Sequence, residues 1–85
     1  MSKIDLKTRY ISIQNRPLDI GQVIRRFRRN LDLSQEYVAL QLEVSQNMLS
    51  KIERGQAKVT FDHICKLSDT FNIEPQAFFD AVEEC

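Results

Sequence analysis

The stretch LSQEYVALQLEVSQNMLSKIERG, residues 33–55, contains two short segments that each open with Ser-Gln. Serine is a favoured N-cap, so Ser34 and Ser45 predict the starts of two consecutive helices of about two turns. Leu-Glu-Val separates them, and Gly55 follows the second, where helices commonly end on a left-handed glycine. Helices this short and this closely joined cannot lie antiparallel, so we expect them to cross at a steep angle.

Apolar residues recur at helical spacing on both sides of this pair. Asp19 is placed to cap a first helix, Thr60 a fourth, and Pro75 to open a fifth. The predicted inward-facing residues are Ile20, Val23, Ile24, Phe27, Leu31, Val38, Ala39, Leu42, Met48, Leu49, Ile52, Phe61, Ile64, Leu67 and Phe71. Met48 could also lie exposed, with the core as the favoured reading. The pattern predicts an all-α, five-helix domain over residues 18–85.

The first 17 residues lack helical periodicity. Ile11 and Ile13 alternate with polar positions, which is compatible with a short strand or an extended segment. Pro17 separates this part from the first helix. We expect residues 1–17 to form an N-terminal arm that is extended or disordered.

The charges of the chain are unevenly distributed. The sequence has 12 Lys and Arg and 12 Asp and Glu. Residues 1–58 carry 11 of the basic residues against 6 acidic ones, a surplus of five positive charges. Residues 59–85 carry one basic residue against 6 acidic ones, a surplus of five negative charges. This asymmetry favours an anionic partner for the first part, and an acidic surface facing solvent for the second.

Several classes of function are not expected from this composition. No apolar run reaches about 18 residues, and the N-terminus lacks the apolar segment of a signal peptide, which favours a cytoplasmic protein without a membrane partner. Cys65 and Cys85 are not in metal-ligand spacing, and His63 stands alone. No nucleophile–base frame or phosphate-binding glycine loop occurs. We therefore expect no metal, no cofactor, no small-molecule ligand and no enzymatic activity.

The chain from Ile20 to Phe79 resembles the lambda-repressor/Cro-like, or XRE, helix-turn-helix family of bacterial and phage regulators. The matching segments are IGQVIRRFRR, LSQEYVA, VSQNMLSKIERG and FDHICKLSDTFNIEPQAFF, about 60 of the 85 residues. Glu43 stands where the family usually has glycine, so we expect a left-handed non-glycine residue there at a cost of ~1 kcal/mol. Phe61 stands where the family often has a basic residue.

The resemblance implies that the third helix, residues 46–54, enters the major groove of DNA. Gln46 and Asn47 at its start would then reach base edges, since amide side chains pair with adenine N6 and N7. In the family, the glutamine that opens the second helix holds a phosphate and braces the first residue of the third. The DNA-contacting residues implied are Gln35, Ser45, Gln46, Asn47, Ser50, Lys51, Arg54, Gln56 and Lys58. The alternative is a pair of capped helices whose polar residues are merely solvated.

The arginines of the first helix are given two roles. By resemblance, Arg28 pairs with Glu53 of the IERG segment in a partly buried ion pair. Such a pair does more to position helices than to raise stability. The remaining arginines of RRFRR, which are Arg25, Arg26 and Arg29, are expected to face either solvent or phosphate.

A two-fold dimer is expected, because one recognition helix reads few base pairs and half-sites lie one helical turn, ~34 Å, apart. Phe78 and Phe79 are adjacent and cannot both face the core of the monomer. One of them, together with Val82, is the candidate dimer surface, so that Phe78, Phe79 and Val82 are its predicted residues. The arm at residues 10–13 is the competing candidate.

These features predict a homodimeric, sequence-specific DNA-binding transcriptional regulator, a repressor of Cro/C1 type, that binds a palindromic operator in double-stranded DNA. It would be regulated by its concentration, as in Cro-like repressors and in the controller proteins of restriction–modification systems, which it resembles in size. The alternatives are an antitoxin or a controller-type subunit, and a protein-interaction module that uses the same helices without DNA.

Overall fold

The computed structural model describes residues 19–83, and within this range the chain forms five helices. They are α1 (Ile20–Asn30), α2 (Gln35–Leu42), α3 (Gln46–Glu53), α4 (Phe61–Phe71) and α5 (Gln76–Glu83). The predicted all-α, five-helix class is confirmed. The predicted arm, residues 1–17, lies outside the described residues, as do residues 18, 84 and 85. No helix among the described residues is long and apolar enough to span a membrane.

The first four helices begin at the predicted caps. Asp19 Oδ1 accepts a hydrogen bond from the Gln22 backbone N–H at 2.8 Å. The hydroxyl groups of Ser34, Ser45 and Thr60 accept similar bonds at 3.0, 3.0 and 3.1 Å, each from the N–H three residues later. These bonds satisfy backbone donors that the first turn of a helix leaves without an intrahelical partner. Local sequence therefore defines where each of these helices starts.

Two of these caps are reciprocal. The Gln22 side chain accepts from the Asp19 N–H at 3.0 Å, and the His63 ring accepts from the Thr60 N–H at 3.2 Å. Both pairs complete a capping box. His63 thus has a structural role at the start of α4, in place of the isolated position that the sequence suggested.

Apolar side chains from all five helices form one core. Its fully or almost fully buried members are Val23, Ile24, Val38, Ala39, Leu42, Leu49, Ile52, Ile64, Leu67, Phe71 and Phe78. Phe27 packs its ring edge-on against Phe78, with ring centroids 5.4 Å apart, and against Phe71 at 6.4 Å. Edge-to-face contact of this kind suits aromatic rings. The three rings join α1, α4 and α5.

Three residues predicted to face inward are exposed, and those predictions were wrong. Phe61 is 74% exposed because it is the first residue of α4, and the core begins one turn later at Ile64. Leu31 is the C-cap of α1, where the chain turns away from the core. Met48 lies on the side of α3 between its buried and its outer face.

The connection between α2 and α3 turns through a left-handed residue. Glu43, the C-cap of α2, has φ of 62° and ψ of 39°. This confirms the expectation for the position that glycine usually holds in the family. Its backbone N–H donates to the carbonyl oxygens of Ala39 and Leu40, which closes the end of α2. The turn is compact enough to bring the starts of α2 and α3 close together.

The start of α1 packs directly on the end of α3. A β-carbon added to Gly21 would lie 2.1 Å from the backbone oxygen of Ile52 and 3.2 Å from that of Glu53. The first of these is far inside van der Waals contact, so a side chain cannot fit there. Gly21 is therefore the residue that permits α1 to approach the backbone of α3.

Candidate nucleic-acid interface

Helix α3 has one buried side and one outer side. Leu49, Ile52 and Glu53 are buried, and they anchor the helix against the rest of the domain. On the opposite side, Asn47, Lys51 and Arg54 follow one another at spacings of four and three residues, so they lie along one face. The helix therefore presents a polar, cationic face from a well-packed base.

The residues predicted to contact DNA divide by exposure. Seven are exposed: Ser45, Gln46, Asn47, Lys51, Arg54, Gln56 and Lys58. Gln35 and Ser50 are half-buried, the first at the start of α2 and the second within α3. All nine lie on α3, at its N-cap, in the segment that follows it, or at the start of α2. The exposed members are accessible to a ligand, and the half-buried ones border them.

A buried carboxylate lies beneath this surface. Glu53 is only 2% exposed, and its Oε2 accepts a hydrogen bond from Arg28 Nε at 2.7 Å. Arg28 Nη2 donates to Glu53 Oε1 at 3.2 Å, and Nη1 donates to the backbone oxygen of Leu33 at 2.8 Å. The Arg28 side chain is 11% exposed, so the expected partly buried ion pair is present. It joins α1 to the end of α3 and to the segment before α2.

Gln35 extends this contact toward the outer surface. Its Nε2 donates to Glu53 Oε1 at 3.0 Å. Its Oε1 faces Gln46 Nε2 at 3.5 Å, which is at the outer limit of a hydrogen bond. The two glutamines of the Ser-Gln pairs are thus neighbours, and one of them is tied to the buried carboxylate.

A second charged group ties the helix-turn-helix turn to α4. Lys66 Nζ lies 3.1 Å from Asp62 Oδ2, one turn earlier on α4, and 3.8 Å from Glu43 Oε2 in the turn. The hydrogen bond to Asp62 raises the pKa of Lys66 above its usual 10.5, partial burial acts in the opposite direction, and the negative charges of both carboxylates add to the rise. Lys66 is therefore engaged on the side of α4.

Helix α5 separates its two adjacent phenylalanines. Phe78 is fully buried in the core of the monomer, so its side chain cannot form a dimer surface, and that part of the prediction was wrong. Phe79 is 44% exposed. Val82 is half-buried and packs against the core. Of the three predicted residues, Phe79 is the one with a large apolar surface accessible to a partner.

Two contributions to this site could not be recognised from the motifs alone. Gly21 was a single glycine inside a helical pattern, which does not tell which element packs against it, and here it admits the end of α3. The bond from Gln35 to Glu53 joins residues 18 positions apart, and no local pattern indicates it. Among residues 19–83, no three His, Cys, Asp or Glu side chains are grouped so as to hold a metal ion.

The helix-turn-helix family model HTH_3 matches residues 24–78, which include α2, α3 and every core residue except Val23. The chain belongs to this family of DNA-binding transcription regulators. This confirms the resemblance to lambda-repressor/Cro-like proteins that the motifs indicated. The matched residues extend from the middle of α1 to Phe78 in α5, so they cover nearly all of the described domain.

Control proteins, one of them from a restriction–modification system, are among its relatives within the helix-turn-helix family. The control protein C.BamHI of Bacillus amyloliquefaciens is 33% identical over 61 residues, which cover 71% of this chain and 75% of that protein. The restriction-modification controller protein C.AhdI of Aeromonas hydrophila is 35% identical in sequence. Its crystal structure aligns with a TM-score of 0.66 over 71% of this chain and 91% of that one.

Repressors share the same fold. The P22 c2 repressor, crystallised with a synthetic operator, aligns with a TM-score of 0.64 over 72% of this chain and 92% of its own. Its sequence identity is 23%, so this match concerns the architecture alone. The five-helix arrangement of the described residues is thus that of lambda-repressor-like domains.

Proposed function

We propose that this protein is a sequence-specific regulator that binds double-stranded DNA as a homodimer, with α3 in the major groove. The observation that carries the proposal is the outer face of α3. It presents amide and cationic side chains from a helix whose other side is fixed in the core. Membership of a family of DNA-binding regulators supports the same assignment.

The base-reading residues are Gln46 and Asn47, at the N-terminal end of α3. Both are exposed, and the start of a recognition helix is the part that reaches base edges. An amide offers one donor group and one acceptor, which match N7 and N6 of adenine. Ser50 and Lys51 lie one turn further along and extend the contact to the next bases or to a phosphate.

The contacts to the DNA backbone surround this centre. Arg54, Gln56 and Lys58 follow α3 and are exposed, so they can approach phosphates on one side. The backbone N–H of Gln35, at the start of α2, is a suitable phosphate donor on the other side. The Ser45 hydroxyl caps α3 at the DNA-facing end. Phosphate contacts of this kind provide affinity and orientation without base preference.

Two copies would bind a palindromic operator, with Phe79 of α5 in the surface that joins them. Phe79 is the large apolar side chain that α5 leaves exposed. The identities of 33% to a control protein and of 35% to a restriction–modification controller protein favour a regulator of that kind, acting in the cytoplasm on the promoter of such a system. The antitoxin alternative lacks a comparable observation among these relatives.

The salt dependence of DNA binding tests the central claim. Counterion release predicts that log K falls linearly with log salt, with a slope of about −0.9 for each neutralised phosphate. We expect a steep fall in fluorescence anisotropy titrations with short duplexes. A protein-interaction module that does not use DNA would show no binding, or a response that does not change with salt.

Two substitutions test the assigned roles. Gln46→Ala should relax base preference in a selection from random DNA, because it removes a base contact. Lys58→Ala should weaken binding to all sequences alike and reduce the salt slope by about one. Equal effects of both substitutions on base preference would contradict the division between base and backbone contacts.

A further inference from the structure

We infer that Glu53, a buried residue beneath the DNA-facing surface, determines the base preference of Gln46 by orienting two side-chain amides. The inference rests on the proposed function, since it assumes that α3 reads base edges. Glu53 acts as a positioning residue, because its carboxylate is enclosed in the domain and is 2% exposed. The observation behind it is the series of contacts from Glu53 through Gln35 to Gln46.

The Glu53 carboxylate determines which end of the Gln35 amide faces it. Paired with the Arg28 guanidinium at 2.7 Å, the Glu53 side chain is an ionised group that only accepts hydrogen bonds. Its Oε1 accepts from Arg28 Nη2 at 3.2 Å and from Gln35 Nε2 at 3.0 Å. The end of the Gln35 amide that faces Glu53 must therefore be its NH₂ group, because a carbonyl oxygen there would be repelled.

The orientation of the Gln35 amide in turn affects the orientation of the Gln46 amide. With its NH₂ group on Glu53, Gln35 points its Oε1 toward Gln46, and the nearest Gln46 atom is Nε2 at 3.5 Å. The distance is long for a hydrogen bond, so the preference comes mainly from matching a partial negative charge with a donor. Gln46 consequently turns its NH₂ group toward Gln35.

The outer surface then offers a defined pattern to a base. One N–H of Gln46 is directed at Gln35, which leaves the other N–H and Oε1 for the ligand. A donor beside an acceptor complements adenine, whose N7 accepts and whose N6 donates. Guanine presents two acceptors, N7 and O6, and would require two donors from the same side chain. The series therefore favours adenine over guanine at the base facing Gln46.

Replacing the carboxylate by an amide should weaken this control. In Glu53→Gln, one of the two acceptor oxygens becomes an NH₂ group, and in either orientation that group opposes an N–H of Arg28, since Arg28 donates to both oxygens of Glu53. Gln35 therefore loses an acceptor that is present in every orientation, and its amide can face Gln46 with either end. Gln46 is then no longer held with its NH₂ group toward Gln35. The preference for adenine over guanine is expected to decline.

The experiment compares two operators that differ only at the base pair facing Gln46. The operator comes from selection in a random DNA pool, and the base pair is the one at which Gln46→Ala loses preference. The wild-type protein should bind the adenine operator at least about fivefold more tightly than the guanine one. For Glu53→Gln, this ratio should fall toward one.

Two further variants separate orientation from stability. Arg28→Lys keeps the carboxylate but loses the fork of hydrogen bonds, so it should lower the melting temperature and retain the adenine preference. Gln35→Ala removes the middle amide from a half-buried position at the start of α2, so Gln46 becomes free to turn and the adenine preference should decline. This variant decides the matter if Glu53→Gln does not fold, as judged by circular dichroism.

The outcomes distinguish this inference from the function on which it rests. If the wild-type protein selects no sequence, the proposed function fails, and the inference fails with it. If it selects a sequence and Gln46→Ala abolishes the adenine preference, the function stands. The inference is then overturned if a folded Glu53→Gln keeps the wild-type ratio, or if Gln35→Ala keeps it.

Discussion

Helices α3 and α5 have the same length, eight residues, and each buries one side in the same core, but their outer sides differ in chemistry. The outer side of α3 carries Asn47, Lys51 and Arg54, whose exposed polar groups are among the proposed contacts to phosphates and base edges. The outer side of α5 carries Phe79, followed by Asp80. An exposed aromatic ring beside an acidic residue suits contact with protein rather than with DNA.

This difference shows how one small core supports two kinds of surface. The buried residues of the two helices fulfil the same purpose, and burial of Ile52 on α3 or Phe78 on α5 removes a comparable apolar side chain from water. In the proposed function, each helix acts through exposed residues, which contribute little to stability. Substitutions that affect the inner and outer residues of one helix separately therefore test the assignment.

The largest effect on stability is expected from a substitution on the inner side of α5. Phe78→Ala removes a fully buried ring that packs against Phe27 and Phe71, and it should lower the free energy of unfolding by about 3–5 kcal/mol. Urea unfolding followed by circular dichroism would measure it. A loss below about 1 kcal/mol would contradict the central position of this ring.

The matched control is the neighbouring ring. Phe79→Ala truncates the same type of side chain at a position that is 44% exposed, so monomer stability should change much less. If Phe79 is central to the dimer surface, the dimer should weaken by about 2 kcal/mol or more. Sedimentation equilibrium over a range of concentrations would show this. An unchanged dissociation constant would place the interface elsewhere.

The next effect on stability concerns the close packing of α1 against α3. Gly21→Ala places a β-carbon 2.1 Å from the backbone oxygen of Ile52, and backbone cannot move aside as a flexible side chain can. We expect a loss of about 3 kcal/mol, the upper part of the range for overpacked cores, despite the better helix propensity of alanine. Thermal unfolding would measure it, with Arg26→Ala as a control at an exposed position of α1. Equal melting temperatures for the two variants would show that α1 can move away from α3 without a loss of stability.

The helices could be predicted from sequence because their determinants are local. Asp19, Ser34, Ser45 and Thr60 each accept a hydrogen bond from an N–H three residues ahead, and the apolar stripes follow the period of the helix. The family resemblance added the position of the recognition helix. Phe61 shows the limit of periodicity, since a residue in the first turn can belong to the stripe and still extend beyond the core.

The rest depends on how the helices are placed relative to one another. Sequence alone could state that Phe78 and Phe79 do not both face inward, but the choice between them required the position of α5 against Phe27 of α1. The bond from Gln35 to Glu53 likewise requires the crossing of α2 and α3. Such contacts join residues that are distant in sequence, and a single chain carries no local signal for them.

The smallest expected effect concerns Lys66, which links α4 to the turn between α2 and α3 through Asp62 and Glu43. Folding raises the pKa of Lys66 above 10.5, so its ion pairs contribute stability that is fully present below that pH. The contribution is lost as pH rises through the higher pKa of the folded protein, where the amine becomes neutral. Lys66→Met should therefore lower the melting temperature slightly at neutral pH, because exposed ion pairs contribute little.

The pH dependence of the melting temperature separates the effect of the Lys66 charge from that of its packing. The difference in melting temperature between the wild-type protein and Lys66→Met should narrow once the pH exceeds the pKa of the folded protein, since the wild-type amine has then lost its charge as well. Asp69→Asn provides a control, because Asp69 is an exposed acidic residue on the same helix. A difference that stays constant through the alkaline range would assign the effect to the methylene groups of Lys66 instead of its charge.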